Sequence, residues 1–460
     1  MKKSALFAPA LVAVMALSAA AQQGIQTSAD KKETLKVTVS GGFDMDFVYR
    51  GKELVEVLGG TGGARDEGRI ESNANIRFDI DLSNKVSVIV NLATVRLNGD
   101  YTNIGQLGNG GQNVELWDLA VRMQEVLDPA VTVQLGTNND FTFDIRGRGS
   151  PIFFAPGMSG TFGANIGGTS AGVLDYNQVA GAVLWYNRDA AHFALALLPA
   201  IIEGGAASND EAAYAVTFYY DLDSVGKGSR IGAILSVNTL PDVAPAAAGG
   251  SESQIITIGG GASLKGLGGM EGLEVFGEFY IQSGDIGPSG DAGGTAFSLG
   301  GHYDLQGDSA PWVELQFVIL SGDDDLADTD VDSFLSYEGV NDFMIIESNV
   351  FGLNINTNMT AIKITGGVSF TAGGGEKNNM QLSGGLGIFT ATEDINVGGT
   401  IGNTDEIGNE FDVKLTYWYS KAVSLDVGMA FLFGSEVLEG NTAESEDSSS
   451  LFMMGINGRF

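Results

Sequence analysis

The chain has no cysteine and only two histidines, His192 and His302, in 460 residues. Without cysteine it can form no disulfide and no thiolate metal centre, and it cannot carry a lipid on an N-terminal cysteine. Two histidines rule out a His-rich metal site and leave little for a Ser–His pair. Proline is scarce, at 9 residues. No stretch beyond residue 21 holds about 18 consecutive apolar residues, so helical membrane spans are excluded. Bases are few: 24 Lys and Arg stand against 57 Asp and Glu, for a formal charge of −33. That balance argues against nucleic acid, whose phosphates need Lys and Arg. No Gly-rich phosphate loop stands between a strand and a helix. Gly259-Gly260-Gly261 and Gly373-Gly374-Gly375 read as turn or strand glycine. No catalytic constellation is visible, and the chain reads as a non-enzyme with no cofactor.

What is present begins with a processing signal. Met1-Lys2-Lys3 is basic, Ala5 to Ala16 is apolar, and Ala19-Ala20-Ala21 has the small-residue pattern of a cleavage site. Residues 1–21 therefore read as a signal peptide, removed to leave a domain over 22–460.

The dominant pattern in that domain is alternation. Phe411, Val413, Leu415, Tyr417 and Tyr419 alternate with Glu410, Asp412, Lys414 and Thr416. Ile76, Phe78, Ile80 and Leu82 alternate with Arg77, Asp79 and Asp81, and Leu273, Val275, Phe279 and Ile281 with Glu274, Glu278 and Gln282. Strands with period two produce one greasy and one ionic face. The segments are about as long as the ~9–11 residues a tilted strand needs to cross a bilayer. Glycine, at 67 residues, suits closely packed strands and turns. The fold expected is all-β: a transmembrane antiparallel β-barrel of about 18 strands.

Nineteen segments alternate in this way. Tight connections, such as Ser83-Asn84, Asp128-Pro129, Arg188-Asp189 and Lys421-Ala422, take turns with long ones over 51–69, 99–113, 138–171, 322–348 and 435–449. The rule fails once, where 371–378 and 391–408 both read as long. Absorbing the segment 379–390 into one outer loop over 371–408 restores strict alternation and leaves eighteen strands, with 349–356 counted as one of them. The last strand ends Phe452-Met453-Met454-Gly455-Ile456-Asn457-Gly458-Arg459-Phe460. Phe460 on its apolar face reads as a signal for the outer-membrane assembly machinery.

The stretch from Gly408-Asn409-Glu410-Phe411-Asp412 through Lys421 and Val423 to Phe431-Leu432-Phe433-Gly434 resembles the penultimate hairpin of the alginate-export family of outer-membrane porins. Tyr337-Glu338-Gly339-Val340-Asn341-Asp342 is similar to a Gly-x-x-Asp loop of that family. Together they cover about the last quarter of the chain. The resemblance implies an eighteen-stranded barrel. It also implies export of an anionic polysaccharide through a basic lumen, but here the inward faces are acidic. They carry Asp79, Asp81, Asp118, Glu274, Glu278, Glu314, Glu410, Asp412 and Asp426, with Arg77, Arg122, Lys414 and Arg459 as basic company.

Eighteen strands enclose an aqueous lumen. The function expected is an outer-membrane porin for diffusion of small hydrophilic solutes, with a preference for cations. The alternatives are a structural or adhesive surface protein with acidic loops, or a polysaccharide exporter. Asp79, Asp118, Arg122, Glu274, Glu278, Glu410, Asp412 and Lys414 are the candidate pore-lining residues. Loop 138–171, with Asp140, Asp144, Arg146 and Arg148, is the candidate constriction, against the alternative of an ordinary surface loop. Asp323, Asp324, Asp325, Asp328 and Asp330 crowd one outer loop, where hard oxygen ligands could hold Ca²⁺, although the spacing departs from an EF-hand. The partners expected are outer-membrane lipid, the assembly machinery and small solutes or ions, with the barrel a monomer or homotrimer.

Overall fold

A computed structural model describes residues 35–52, 54, 66–95, 113–137, 143–148, 178–202, 212–240, 253–286, 290–324, 330–334, 342–348, 352–353, 355–371, 377–398, 402–441 and 446–460. Eighteen antiparallel strands follow one another: β1 (Lys36–Arg50), β2 (Glu67–Asp81), β3 (Val86–Val95), β4 (Asn113–Gln124), β5 (Val131–Thr137), β6 (Gln178–Arg188), β7 (Ala191–Ile202), β8 (Ala212–Asp221), β9 (Arg230–Leu240), β10 (Ser253–Lys265), β11 (Leu273–Ile286), β12 (Gly290–Asp304), β13 (Trp312–Leu320), β14 (Met359–Phe370), β15 (Met380–Gly398), β16 (Gly402–Trp418), β17 (Val423–Phe433) and β18 (Ser449–Arg459). Each pairs with the next, and β1 pairs with β18 from Gly42↔Arg459 to Arg50↔Leu451. The sheet is therefore a closed barrel. No edge strand remains, as lipid requires.

The alternation read in the sequence separates the two faces. On β13, Leu315 points outward and is 53% exposed, whereas its neighbour Glu314 is 8% exposed. Phe279, Ile281, Ile362, Ile364, Phe411 and Phe431 belong to the same outer apolar face. Glu278, Gln282, Lys363 and Glu410 are buried inside. A transmembrane β-barrel has this arrangement.

Two corrections concern the strand count. The segment 379–390 is not loop but most of β15, and β15 and β16 run on through nearly all of 391–408. Acidic and glycine residues made that stretch look like a connection. It stays paired because bulges between Phe389 and Thr390 and beyond absorb its irregularities, with Gly408 at φ 129 beside the first of them. Conversely, the described residues of 349–356 form no strand. The amides of Leu353 and Ile355 donate instead to Ile345 and Ile346 carbonyls, at 2.6 and 2.8 Å. Their apolar side chains are buried inside the barrel, which mimics the alternation of a wall strand. One segment gained and one lost leave the strand count at eighteen. With β15 restored, tight turns and longer loops alternate over most of the barrel; the exceptions are the three-residue β11–β12 and β15–β16 connections, which are shorter than the turns beside them.

Candidate functional site: an inward loop against the barrel wall

Small glycines on the wall prepare the site. Phe276 of β11 pairs with Gly300 of β12, and Tyr280 pairs with Gly259 of β10. A Cβ at Gly259 or Gly300 would collide with these rings. Both aromatics therefore lie flat along the inner surface and make a shelf. The loop between β5 and β6 descends onto it. Phe143 stacks on Tyr219 at 5.1 Å between centroids and meets Tyr280 edge-on at 6.4 Å. The Asp144 amide donates to the Tyr219 hydroxyl at 2.9 Å. The Asp144 carboxylate in turn accepts the amides of Arg146 and Gly147, both at 2.9 Å, which closes an Asx-type turn.

That turn aims two guanidinium groups at the wall. Arg146 lies over the Phe276 ring at 3.6 Å and donates through Nη1 and Nη2 to Glu314 at 3.0 and 2.8 Å. Its Nε is 3.6 Å from Glu274, and Arg148 also pairs with Glu274. Ser263 donates to Glu274 at 2.7 Å. His302, stacked on Trp312, bridges Glu314 at 2.8 Å and Asp304 at 3.0 Å. Burial beside Arg146 pulls the Arg148 guanidinium below its ordinary pKa, yet an arginine so placed remains charged. Glu274 is the second residue of β11 and Glu314 the third of β13. The loop thus reaches almost to the tight-turn end of the barrel. Beside it lies a cavity of about 310 Å³ lined by Arg146, Arg148, His302, Asp304, Trp312, Glu314, Gln316 and Asp342.

The remaining candidates divide by partner. Glu274 and Glu278 are inside the barrel on β11, both buried. Asp79 is held by Arg77 at 3.1 Å, and Asp118 accepts from Asn91 at 3.0 Å. Arg122 donates to Gln134 at 2.8 Å and faces Trp185. Lys414 pairs with Asp426 at 3.2 Å. Glu410 and Asp412 are buried, and both accept backbone amides of the segment 342–348. Asp140, Asp325 and Asp328 lie outside the described residues. Asp330 accepts the Asp291 amide at 2.9 Å. Among the described residues no group of three or more acidic or histidine side chains is placed to hold a metal ion. Phe460 caps β18, its backbone exchanging two 3.0 Å hydrogen bonds with Gly41.

Sequence reading missed Phe276, Trp312, Lys363 and Glu347. Lys363 left a signal: it is the one charge on the inward face of β14, between Ile362 and Ile364. Phe276 left none, because an inward aromatic breaks the alternation instead of following it.

This fold and lumen define an outer-membrane-porin type of barrel. No family model matches the chain, that of the alginate exporters included, and no curated protein matches its sequence. Solved structures do match. The outer membrane protein opdK of Pseudomonas aeruginosa aligns with 92% of this chain and 98% of its own, at 11% identity and a TM-score of 0.54. OccAB1 of Acinetobacter baumannii aligns with 92% of this chain and 96% of its own, at 12% identity and a TM-score of 0.55. OpdL of Pseudomonas aeruginosa gives 92%, 99%, 11% and 0.53. At such identities the likeness is one of fold.

Proposed function

We propose that this protein is an outer-membrane channel through which small hydrophilic solutes diffuse, with a modest preference for cations. One observation carries the reading: Arg146 and Arg148 of the β5–β6 loop pair with carboxylates of the inner wall, and beside them lies a cavity with a charged and polar wall. Water and solutes are stable against such a wall, whereas an anchor barrel needs no polar route. The outer apolar face supports residence in a bilayer, and the named structural neighbour opdK is an outer membrane protein. The cation preference rests on acids in excess. At the cavity, Asp304 and Asp342 face the lumen together with Arg148, and the chain as a whole is strongly acidic. In this reading Phe460 serves the assembly machinery, and lipid is the barrel's standing partner.

Single-channel recording of the refolded protein tests it. Stepwise conductance is expected, with a reversal potential of cationic sign under a KCl gradient. An absence of conductance would remove the channel, and an anionic sign would show that the arginines own the constriction.

A further inference from the structure

Glu410 and Asp412 sit side by side on the inner face of β16, buried within the membrane-spanning barrel. Carboxylates so placed need donors. They find them in a single segment of the β13–β14 loop. The amides of Ile345 and Ile346 donate to the two oxygens of Glu410 at 2.6 and 2.7 Å, and that of Met344 to Asp412 at 2.8 Å. A second tie comes from β14: Lys363 reaches Asp342 at 3.1 Å and Glu347 at 2.8 Å, one at each end of the same segment. Burial raises the Glu347 carboxyl above the ordinary range despite that lysine. Phe343, Ile345 and Ile346 between these ties are buried against wall residues that include Phe389, Ala430 and Leu432.

We infer that residues 342–348 are a fixed plug that fills the β14–β17 side of the lumen and sets the size of solute the channel admits. Glu410, Asp412 and Lys363 act as its positioning residues. Three facts point the same way. The plug's far edge, Asp342, is itself a wall of the solute cavity, together with Arg148 of the β5–β6 loop and Trp312 of β13. Its ties to Glu410 and Asp412 run through backbone amides, so they fix position and not merely charge. Its apolar side chains Phe343, Ile345 and Ile346 belong to one buried cluster with the wall residues Phe389, Ala430 and Leu432. Solute is thereby kept off the β14–β17 side, and the cavity beside β12 and β13 lies on the route left open. This inference rests on the channel reading for what crosses the lumen, but the plug's seat can be measured without it.

The test uses the double variant E410A/D412A in the full barrel, with I345C added to one set of samples. Ile345 is fully buried and the chain has no other cysteine, so a water-soluble maleimide should leave I345C untouched in the otherwise wild-type barrel. In the E410A/D412A background the thiol should react. Conductance should rise by about twofold or more as lumen cross-section is recovered, and larger polyethylene glycols should enter. A folded, heat-modifiable E410A/D412A protein with wild-type thiol protection and polymer cut-off would overturn the plug. If that variant does not fold, F343A/I346A trims the apolar seat, leaves the acceptors in place and is read the same way. A silent wild type beside a conducting variant would retain the plug and remove the resting channel. Silence in both would remove the channel, and maleimide reactivity would then decide the plug alone.

Discussion

Arg146 meets Glu314 across 168 residues of sequence, with both terminal nitrogens on both carboxylate oxygens. Their side chains are 4% and 10% exposed, so this is a buried, bidentate pair. Breaking such a pair from one side leaves a desolvated charge and costs roughly 3–5 kcal/mol. R146A should therefore unfold at clearly lower urea than wild type in lipid vesicles. The double variant R146A/E314Q should recover part of the loss. A double-mutant cycle for these two positions should give a coupling energy within the ~0.5–3 kcal/mol of contacting residues. Strict additivity would mean that the loop is not seated on the wall in the membrane.

Arg148 is a different case, because its side chain is 38% exposed and faces the cavity. Removing it should alter stability little and permeation more. R148A takes one positive charge from the narrow region while Asp304 and Asp342 stay, so the reversal potential should move further in the cationic direction. The shift should shrink as salt rises, since screening acts beyond ~8 Å at physiological ionic strength. D304N should move it the opposite way. Equal selectivity in wild type, R148A and D304N would place the permeation route elsewhere.

Much of the barrel was legible because its cause is periodic. Leu315 beside Glu314 and Ile362 beside Lys363 are what a two-sided wall must look like between lipid and lumen. The failures lie where another surface imposed the pattern. Leu353 and Ile355 alternate because the loop packs inside the barrel, and nothing local distinguishes that from a wall strand. Arg146 and Arg148 could be singled out as candidates by loop length and charge. Their partners Glu274 and Glu314 could not be paired with them, because contact across 126 or 168 residues leaves no local trace. Glu410 and Asp412 look like pore acids by pattern, and only the structure shows which amides they accept.

The shelf beneath Arg146 depends on a missing side chain. Phe276 can lie along β12 only because its partner there is Gly300. G300V places a branched side chain into that ring, and overpacking of this kind costs about 1–3 kcal/mol. The ring should be pushed from under Arg146, with stability falling and open-channel noise rising as the loop loosens. The pair G300V/F276A should relieve the overpacking and recover part of the stability, but the noise should persist because the ring under Arg146 is gone. If G300V alone behaves as wild type, the shelf does not hold the loop.

The carboxy terminus makes two contributions that separate variants can tell apart. The Phe460 backbone exchanges two 3.0 Å hydrogen bonds with Gly41, just beyond the last β1–β18 register pair, Gly42↔Arg459. Its ring is 62% exposed on the outer face. Deleting the residue removes the hydrogen bonds and the ring together, whereas F460A removes only the ring. A lost hydrogen bond is worth about 1 kcal/mol, and Gly41 would also be left unpaired close to lipid. Deletion should therefore lower refolding yield into vesicles of pure lipid, where no machinery is present, and F460A should refold there nearly as wild type. In cells both should insert poorly while synthesis continues, because an exposed terminal ring is available for recognition before the seam closes. Surface levels can be read by protease shaving and folded fraction by the unboiled gel shift. Normal insertion of F460A in cells would show that the ring is not read at all, and that Phe460 matters only as the last rung of the barrel seam.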